Sequence, residues 1–277
     1  MTQAPAMLSA MYVYPVKSLA GISVSSRRVD ERGLELDRRW MVVDKDNKFL
    51  TQRQVPRLAL ISVSLAKGQL VLNAPGTGRI EIPSRPMGKA RVSVQVWKDE
   101  VQALPADSDV SNWISDYLGK QSNLVYMPDD SNRYVHASFA VNRDRFGFAD
   151  AFPFLILSEG SLDELNRRLE KALPVNRFRP NLVFSGCEPF AEDGWKEIQI
   201  GQIAFRVAKP CSRCATTTVD QSTAESGKEP LKTLSTFRKK DGDVYFGQNA
   251  IHRNPGTLSV GEAVEILEGR LVLKPTS

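Results

Sequence analysis

The most informative stretch of the chain runs from Lys209 to Asp220 and reads KPCSRCATTTVD. It places Cys211 and Cys214 three positions apart, with Arg213 beside the second cysteine, ahead of three consecutive threonines. Two thiols at this spacing can be half of a zinc site, a redox-active dithiol, or a site in which the two cysteines have different tasks. The rest of the sequence has to separate these three possibilities.

The remaining residues favour the third possibility. A zinc site needs two further ligands, but the chain has one other cysteine, Cys187, and two histidines, His136 and His252, which lie at no ligand spacing. A redox dithiol is expected at a turn from a strand into a helix, whereas this motif leads into β-branched threonines. We therefore predict one thiolate-forming cysteine whose pKa is lowered by Arg213, and no catalytic role for either histidine.

The composition limits the class of protein. With 277 residues, 42% of them hydrophobic and 25% charged, the chain is long enough for one large or two medium domains. Three cysteines do not make a disulfide framework. The net charge is +5, but the 37 Lys and Arg residues are scattered among 32 acidic residues, with no run of five basic residues. No signal peptide or stretch of 18 apolar residues is found. These features predict a soluble cytoplasmic protein that binds neither a membrane nor a nucleic acid polymer.

Short apolar and β-branched runs, separated by turn residues, recur along the chain. Residues 92–96 read VSVQV, the alternation of a strand with one buried face. The runs are too close together for crossover helices, which favours antiparallel pairing. Hairpins are predicted at 198–203 around Gly201 and at 258–267 around Gly261. The predicted strands are 8–14, 22–29, 40–43, 58–65, 69–72, 91–97, 101–104, 182–184, 197–200, 203–207, 216–219 and 264–267.

Three segments have helical periodicity. The first is 109–118, and the second is 162–172, where Ser161 and Glu164 form a predicted capping box. The third is a short helix that starts near Pro230. The fold class predicted from the residues is therefore mainly β, with a few helices.

Further motifs accompany the cysteine pair, and together they resemble the MOSC proteins over nearly the whole chain. The resemblance is closest to the mitochondrial amidoxime-reducing components and the YcbX-like reductases. The motifs are YPVKS at 14–18, LDRRW at 36–40, TQRQ at 51–54, FRPN at 178–181, KPCSRCATTTVD at 209–220 and FGQN at 246–249.

This resemblance implies an N-terminal β-barrel-like domain at 1–125 and a MOSC β-barrel domain at 126–277, with a molybdenum-molybdopterin cofactor between them. Cys214 is implied as the catalytic residue and the metal ligand, a role that suits a soft thiolate. The resemblance also carries a family-level association with pyridoxal phosphate. The residues implied to bind the anionic molybdenum cofactor are Lys17, Ser18, Arg38, Arg179, Asn181, Ser212, Arg213 and Asn249.

One motif departs from the family pattern. Ala151 and Phe152 stand where some relatives have small hydroxyl residues, so only backbone N–H groups are expected to contact a phosphate there. Cys211 is expected near the metal but not as its ligand, and Cys187 is predicted to be a buried structural thiol.

The activity implied by the resemblance is reduction of N-hydroxylated compounds, such as hydroxylaminopurines, amidoximes and hydroxylamines, by removal of the oxygen. Such a reaction would detoxify N-hydroxylated bases. Because no cysteine follows Cys214 to hold an iron–sulfur cluster, a separate electron donor is expected, either a ferredoxin-type protein or a flavin reductase. Two alternatives stay open: a non-enzymatic carrier of molybdenum cofactor or sulfur on Cys214, and an interaction module without metal.

Overall fold

The computed structural model describes residues 5–269, and most of its regular structure is strand. The predicted class, mainly β with a few helices, is confirmed. The end of the predicted second domain, at residue 277, lies outside the described residues. The strands of the described range are β1 (Met7–Val13), β2 (Ile22–Ser23), β3 (Ser26–Asp30), β4 (Gly33–Leu34), β5 (Trp40–Asp44), β6 (Ser62–Ala66), β7 (Gln69–Ala74), β8 (Gly78–Pro83), β9 (Val92–Val96), β10 (Asp99–Pro105), β11 (Ser122–Tyr126), β12 (Arg133–Tyr134), β13 (Arg145–Phe146), β14 (Phe154–Ser158), β15 (Leu182–Ser185), β16 (Trp195–Ile200), β17 (Ile203–Ser212), β18 (Lys239–Lys240), β19 (Asp243–His252), β20 (Gly256–Ser259) and β21 (Val264–Gly269).

Helices are short within the described range. They are α1 (Ser108–Leu118), α2 (Glu159–Asn166) and the single turn α3 (Leu231–Leu234), and none is long and apolar enough to cross a membrane. Helix α1 ends at the predicted residue because Gly119 takes a left-handed conformation, with φ of 68°, that residues with a Cβ disfavour. Residues 5–269 also contain four 3₁₀ turns, at Pro56–Leu60, Val175–Arg177, Ala191–Gly194 and Ala215–Thr218.

The predicted bounds of α2 are wrong. The Ser158 hydroxyl accepts the Ser161 backbone N–H, so Ser158 is the N-cap and Ser161 lies inside the helix instead of starting it. The helix ends at Asn166 and not at residue 172. The Asn166 side chain donates to the Leu173 carbonyl and accepts the Leu173 N–H, which folds the chain back before the predicted end of the helix.

A nine-stranded sheet forms the larger part of the molecule. Its order is β2-β1-β15-β14-β19-β17-β16-β21, with β18 also paired to β19. Strands β14 and β15 are parallel and the other pairs are antiparallel. Because β1 comes from the first half of the chain and pairs with β15, residues 7–13 belong to the sheet of the second half. The predicted division of the chain at residue 125 stays a prediction.

The first half contributes a separate four-stranded sheet, β5-β11-β10-β9, and a three-stranded sheet, β6-β7-β8. Strands β20, β3 and β4 form a third small sheet, and β12 pairs with β13. One core packs the large sheet and includes Phe154, Phe184 and Phe205, while another lies under α1 and includes Trp40 and Trp113. The two cores leave a seam between the halves of the chain, and the pocket described below opens there.

One of the two predicted hairpins is confirmed. Ile200 pairs with Ile203 across a turn at Gly201, which has φ of 54°. The hairpin predicted around Gly261 is wrong, because β20 pairs with β3 and β21 pairs with β16. The Leu8 carbonyl accepts the Gly261 N–H, and this contact with β1 separates the two strands into different sheets.

Strand β14 is absent from the sequence-based prediction, although it lies at the centre of the large sheet. It reads FLILS and is buried along most of its length. A strand covered on both faces has a continuous apolar run instead of an alternating one, which explains why a search for alternation passes over it.

Candidate functional site

A deep pocket opens at the seam between the two halves of the chain. Its empty space is about 850 Å³, a figure that includes the open solvent at its mouth. All nine residues predicted for the site line this pocket: Lys17, Ser18, Arg38, Arg179, Asn181, Ser212, Arg213, Cys214 and Asn249. The tertiary structure thus brings together residues that are up to 232 positions apart; their individual roles stay predictions.

Cys214 lies at the end of β17, where its backbone caps the 3₁₀ turn Ala215–Thr218. Its side chain is exposed to the pocket, with the Thr216 hydroxyl 3.4 Å from the sulfur. Desolvation raises the pKa of this thiol, but hydrogen bonds from the Thr216 hydroxyl and amide, together with the Arg53 guanidinium, outweigh that effect and hold the pKa below its usual range. Cys214 is therefore an accessible thiol with an increased tendency to ionise.

The strand predicted at 216–219 is a 3₁₀ turn instead, so that prediction is wrong. The Thr217 and Thr218 hydroxyls donate to the carbonyls of Cys214 and Ala215, three residues back. Hydroxyl side chains that hydrogen-bond to the nearby backbone compete with the backbone hydrogen bonds between the strands of a sheet. This turn carries Cys214 off the strand and into the pocket.

The cation beside Cys214 is Arg53, which the sequence analysis did not include among the site residues. Arg53 Nη1 donates to Cys214 Sγ at 3.4 Å. Arg213, predicted to lower the pKa of Cys214, donates instead to Cys211 Sγ at 3.0 Å and to the Phe178 carbonyl at 2.6 Å. The assignment of Arg213 to Cys214 is thus wrong, because the two side chains point in different directions where the chain leaves β17 for the 3₁₀ turn. Arg53 lies within the TQRQ motif at 51–54, and that motif is the sequence signal that could have identified it as a site residue.

The pocket wall is strongly electropositive. Five cationic side chains line it, Lys17, Arg38, Arg53, Arg179 and Arg213, against one carboxylate, Asp150. Burial lowers the pKa of Arg179 to about 10, and Arg179 Nη2 is buried without a hydrogen-bond partner among the described atoms, as is Arg213 Nε. Buried guanidinium nitrogens without partners are unfavourable, so an anion in the pocket would stabilise them.

Lys17 and Asp150 connect the two sides of the pocket mouth. Lys17 Nζ is buried and lies 2.5 Å from Asp150 Oδ1 and 2.8 Å from the Phe148 carbonyl. Desolvation raises the pKa of Asp150, but the charge and hydrogen bond of Lys17 outweigh it and hold the pKa below its usual range. The carboxylate therefore stays ionised at neutral pH.

Arg38 and Asn181 form the floor of the pocket. Arg38 Nη1 pairs with the buried Asp37 at 2.7 Å and donates to Asn181 Oδ1 at 3.1 Å. The Asn181 amide group donates to the Tyr12 carbonyl, and its oxygen also accepts the Leu155 N–H. Both polar atoms of Asn181 thus bond to protein, so its main effect in this structure is to orient Arg38.

Three of the predicted cofactor residues have a left-handed backbone. The φ angles are 70° for Ser18, 47° for Arg38 and 56° for Arg179. Residues with a Cβ adopt this region at a cost of about 1–3 kcal/mol each, and such residues cluster at binding sites where the surrounding packing holds them. The strain was not predictable from the residue types, since none of the three is a Gly, Asn or Asp, the types that adopt this region most readily.

The other predicted residues complete the wall opposite Arg53. Ser212 is exposed at the end of β17, opposite Tyr245 of β19. Asn249 Nδ2 lies 3.4 Å from the Pro210 carbonyl, a long contact that leaves its amide available to a ligand. Cys187 lies outside the pocket and is half-buried against the core of the large sheet, where burial raises the pKa of its thiol to about 11.

These residues fit the cofactor implied by the sequence resemblance. The partnerless nitrogens of Arg179 and Arg213 and the excess of cations suit an anionic pterin phosphate, and the accessible thiol of Cys214 suits a metal that already carries sulfur ligands. Within residues 5–269, no three His, Cys, Asp or Glu side chains come together to hold a metal ion. A metal at Cys214 would therefore depend on its cofactor for further ligands.

Comparison with protein families gives the same classification as the motifs. Residues 5–121 match the MOSC N-terminal beta barrel domain, and residues 143–265 match the MOSC domain. The chain belongs to the family of MOSC proteins that combine these two domains, as the sequence motifs predicted.

Among curated proteins, the chain is similar to mitochondrial amidoxime-reducing component 1 of Mus musculus, with 38% identity over 94% of this chain and 82% of the relative. The human component 1 is 37% identical over the same shares. A molybdenum cofactor sulfurase of Oryza sativa subsp. japonica is 33% identical, over 87% of this chain and 32% of that protein. The predicted cytoplasmic location finds no support in these names, since the amidoxime-reducing components are named as mitochondrial.

Proposed function

We propose that this protein binds a molybdenum-molybdopterin cofactor through Cys214 and reduces N-hydroxylated compounds by removing their oxygen. One observation carries the proposal: an accessible, readily ionised thiol lies in a pocket lined by five cations and one carboxylate. The names of the amidoxime-reducing relatives support the reaction, and the name of the sulfurase relative supports the cofactor. None of these three names supports pyridoxal phosphate, so it is not part of the proposal.

The cofactor, when bound, supplies two-electron oxygen-atom chemistry. The chain's own residues then have separate tasks. Cys214 would ligate the metal. The nitrogens of Arg179 and Arg213 that have no partner would donate hydrogen bonds to the anionic part of the cofactor, and Lys17 and Arg38 would add positive charge. Ser18, Ser212, Asn249 and the backbone around them would contribute neutral donors, and Asn181 would keep Arg38 in place.

We propose that the electrons come from a separate protein, of the ferredoxin type or a flavin reductase. The relatives are named as components, which describes part of a larger system. If the purified chain reduced an amidoxime with pyridine nucleotide alone and no added carrier, this part of the proposal would be abandoned.

The test of the proposed function is a Cys214→Ser variant, expressed beside the wild type in a host that makes the cofactor. We expect near-stoichiometric molybdenum and pterin in the wild type and, in the variant, loss of metal or at least a 100-fold loss of amidoxime reduction, the order expected when a metal ligand is removed. Metal content is measured by elemental analysis, and reduction is measured with a chemical electron donor.

The matched control is Cys187→Ser, which removes a thiol from the same chain outside the pocket. It should keep the molybdenum content and the activity of the wild type. An unchanged activity per molybdenum in Cys214→Ser would refute the role of Cys214 as ligand, and absence of molybdenum and pterin from the wild type would refute the proposed cofactor.

The runner-up function is a non-enzymatic carrier that holds the molybdenum cofactor, or a sulfur atom, on Cys214. It is favoured by one observation, the 33% identity to a molybdenum cofactor sulfurase over most of this chain. The two functions differ in turnover. A carrier would contain cofactor or a persulfide on Cys214 and reduce no N-hydroxylated compound when a donor is supplied.

A further inference from the structure

An exposed tryptophan contacts two of the residues that line the pocket, Arg53 and Asp150. Trp97 occupies the turn between β9 and β10, with φ of 56°, and 44% of its surface is exposed. The chain's other tryptophans, all within the described residues, are 1–9% exposed. A large side chain held in a left-handed conformation is strained, and strain of this kind is kept where surrounding contacts fix the residue.

Three contacts fix the indole of Trp97. Its Nε1 donates to Asp150 Oδ1 at 3.0 Å, the same oxygen that accepts Lys17 Nζ. The Phe49 ring packs against it with centroids 5.1 Å apart. The third contact is the Arg53 guanidinium, whose central carbon lies 4.9 Å from the centroid of the indole.

Arg53 thereby connects Trp97 to Cys214. Its central carbon lies 4.9 Å from the centroid of the indole, while Nη1 reaches Cys214 Sγ at 3.4 Å. Arg53 is partly exposed and lines the pocket, so a ligand in the pocket can reach its guanidinium. Guanidinium planes and indole rings both stack on flat aromatic ligands, whereas a saturated ring has no π face to offer them.

We infer that Trp97 and Arg53 form a stacking platform that selects planar aromatic N-hydroxylated substrates, such as aryl amidoximes and N-hydroxylated purines, over saturated ones. A flat ring on this platform would place its N–O group beside the sulfur that holds the metal. This inference rests on the proposed function, and it adds the part of the pocket that distinguishes between substrates.

The first test measures binding without turnover, by calorimetry of the cofactor-loaded protein in the absence of an electron donor. The two probes are benzamidoxime and cyclohexanecarboxamidoxime, which carry the same reactive group on a flat and on a saturated ring. We expect the wild type to prefer the flat probe on the order of tenfold, the size of one aromatic stacking contact. Bound benzamidoxime should also protect Trp97 fluorescence from acrylamide quenching.

Variants separate the parts of the platform. Trp97→Ala should abolish the preference, Trp97→Phe should keep most of it without the indole N–H, and Arg53→Lys should reduce it because the charge stays and the planar group is lost.

In turnover, Trp97→Ala should raise KM for benzamidoxime about tenfold, with a smaller change in kcat and none in KM for the saturated probe. Tyr134→Ala is the matched control, since Arg143 lies 4.7 Å from the centroid of that exposed ring outside the pocket.

An unchanged preference in Trp97→Ala or Arg53→Lys would overturn the inference, as would a complete loss in Trp97→Phe, because the indole N–H and not stacking would then be responsible. If Trp97→Ala does not fold, the other two variants and the quenching measurement still decide the matter. Failure of the proposed function can be told apart from failure of this inference. If the proposed function fails, the cofactor-loaded wild type reduces neither probe, whatever its binding preference.

Discussion

At the scale of single residues, the protein keeps a carboxyl group inside its core. Glu192 is fully buried and accepts the hydroxyls of Ser158 and Ser161 at 2.8 Å. Burial raises the pKa of this carboxyl, and the serine hydrogen bonds only partly oppose the shift. Ser158 is also the N-cap of helix α2 and accepts the Ser161 N–H, so a titratable group and the start of the helix share one set of contacts.

This arrangement predicts a pH dependence of stability. Because the folded state holds the Glu192 proton more tightly than the unfolded state does, stability should fall as the pH rises from about 4.3, the pKa of an unfolded Glu, through the higher folded pKa. Glu192→Gln removes this titration, so the unfolding free energy of the wild type relative to the variant should decrease over that range. Urea unfolding at several pH values measures it.

The control for this prediction is Glu170→Gln, which removes a carboxyl that is exposed to solvent instead of buried. A constant difference between wild type and Glu192→Gln would contradict the prediction. A rise of wild-type stability relative to Glu192→Gln would show the opposite sign, that of a carboxyl stabilised in its ionised form.

At the scale of elements, close backbone packing fixes the floor of the pocket. Gly147 lies against the loop that carries Arg38, and the Phe148 N–H donates to the Arg38 carbonyl at 2.6 Å. A Cβ at Gly147 would lie 2.6 Å from the Arg38 carbonyl oxygen and 2.9 Å from that of Asp37. Both neighbours are backbone atoms, so they can move only together with the loop.

Gly147→Ala should therefore destabilise the protein by about 1–3 kcal/mol and, by displacing Arg38, weaken retention of an anionic cofactor. Gly227→Ala is the matched control, because a Cβ there meets no atom within 4 Å. It should change the unfolding free energy by less than about 1 kcal/mol. Urea unfolding and pterin content measure the two effects, and equal stabilities for the two variants would contradict the argument.

At the scale of the whole molecule, buried arginines hold the segment that joins the two halves of the chain. Arg39 is 2% exposed and donates to the Met127 carbonyl through Nε and Nη2. Arg32 donates to the carbonyls of Asp129 and Ser131, and Arg133 donates to those of Gly147 and Ala149. Segment 127–133 is thus held by several planar cations, which keeps the seam and its pocket in a defined shape.

Arg39→Lys should destabilise the protein by about 1–3 kcal/mol, because a lysine cannot reproduce the forked contact and the Met127 carbonyl is left poorly bonded. Limited proteolysis should then cut within 127–133 faster than in the wild type. Arg91→Lys is the control, since Arg91 pairs with the exposed Asp130 on the same segment and should contribute less than about 1 kcal/mol. Identical cleavage rates in the two variants would argue against the role given to Arg39.

The sequence by itself determined the mainly β class, the hairpin at Gly201, the MOSC family and nine of the residues that line the pocket. Alternating runs, turn residues and short motifs are local signals, and local signals are readable without coordinates. It did not determine the ends of α2, the 3₁₀ turn after Cys214 or strand β14. At those positions side-chain hydrogen bonds, or burial on both faces, override the periodic pattern.

Only the tertiary structure decided which cation lies beside which thiol. Arg213 is adjacent to Cys214 in the chain and yet bonds to Cys211, while Arg53, 161 positions away, reaches the sulfur of Cys214. The physical reason is that charge acts through space, and the direction of each side chain depends on the packing of both halves of the chain. The platform of Trp97 and Arg53 has the same origin, since Arg53 contacts both Trp97 and Cys214 of the second half only in the folded molecule.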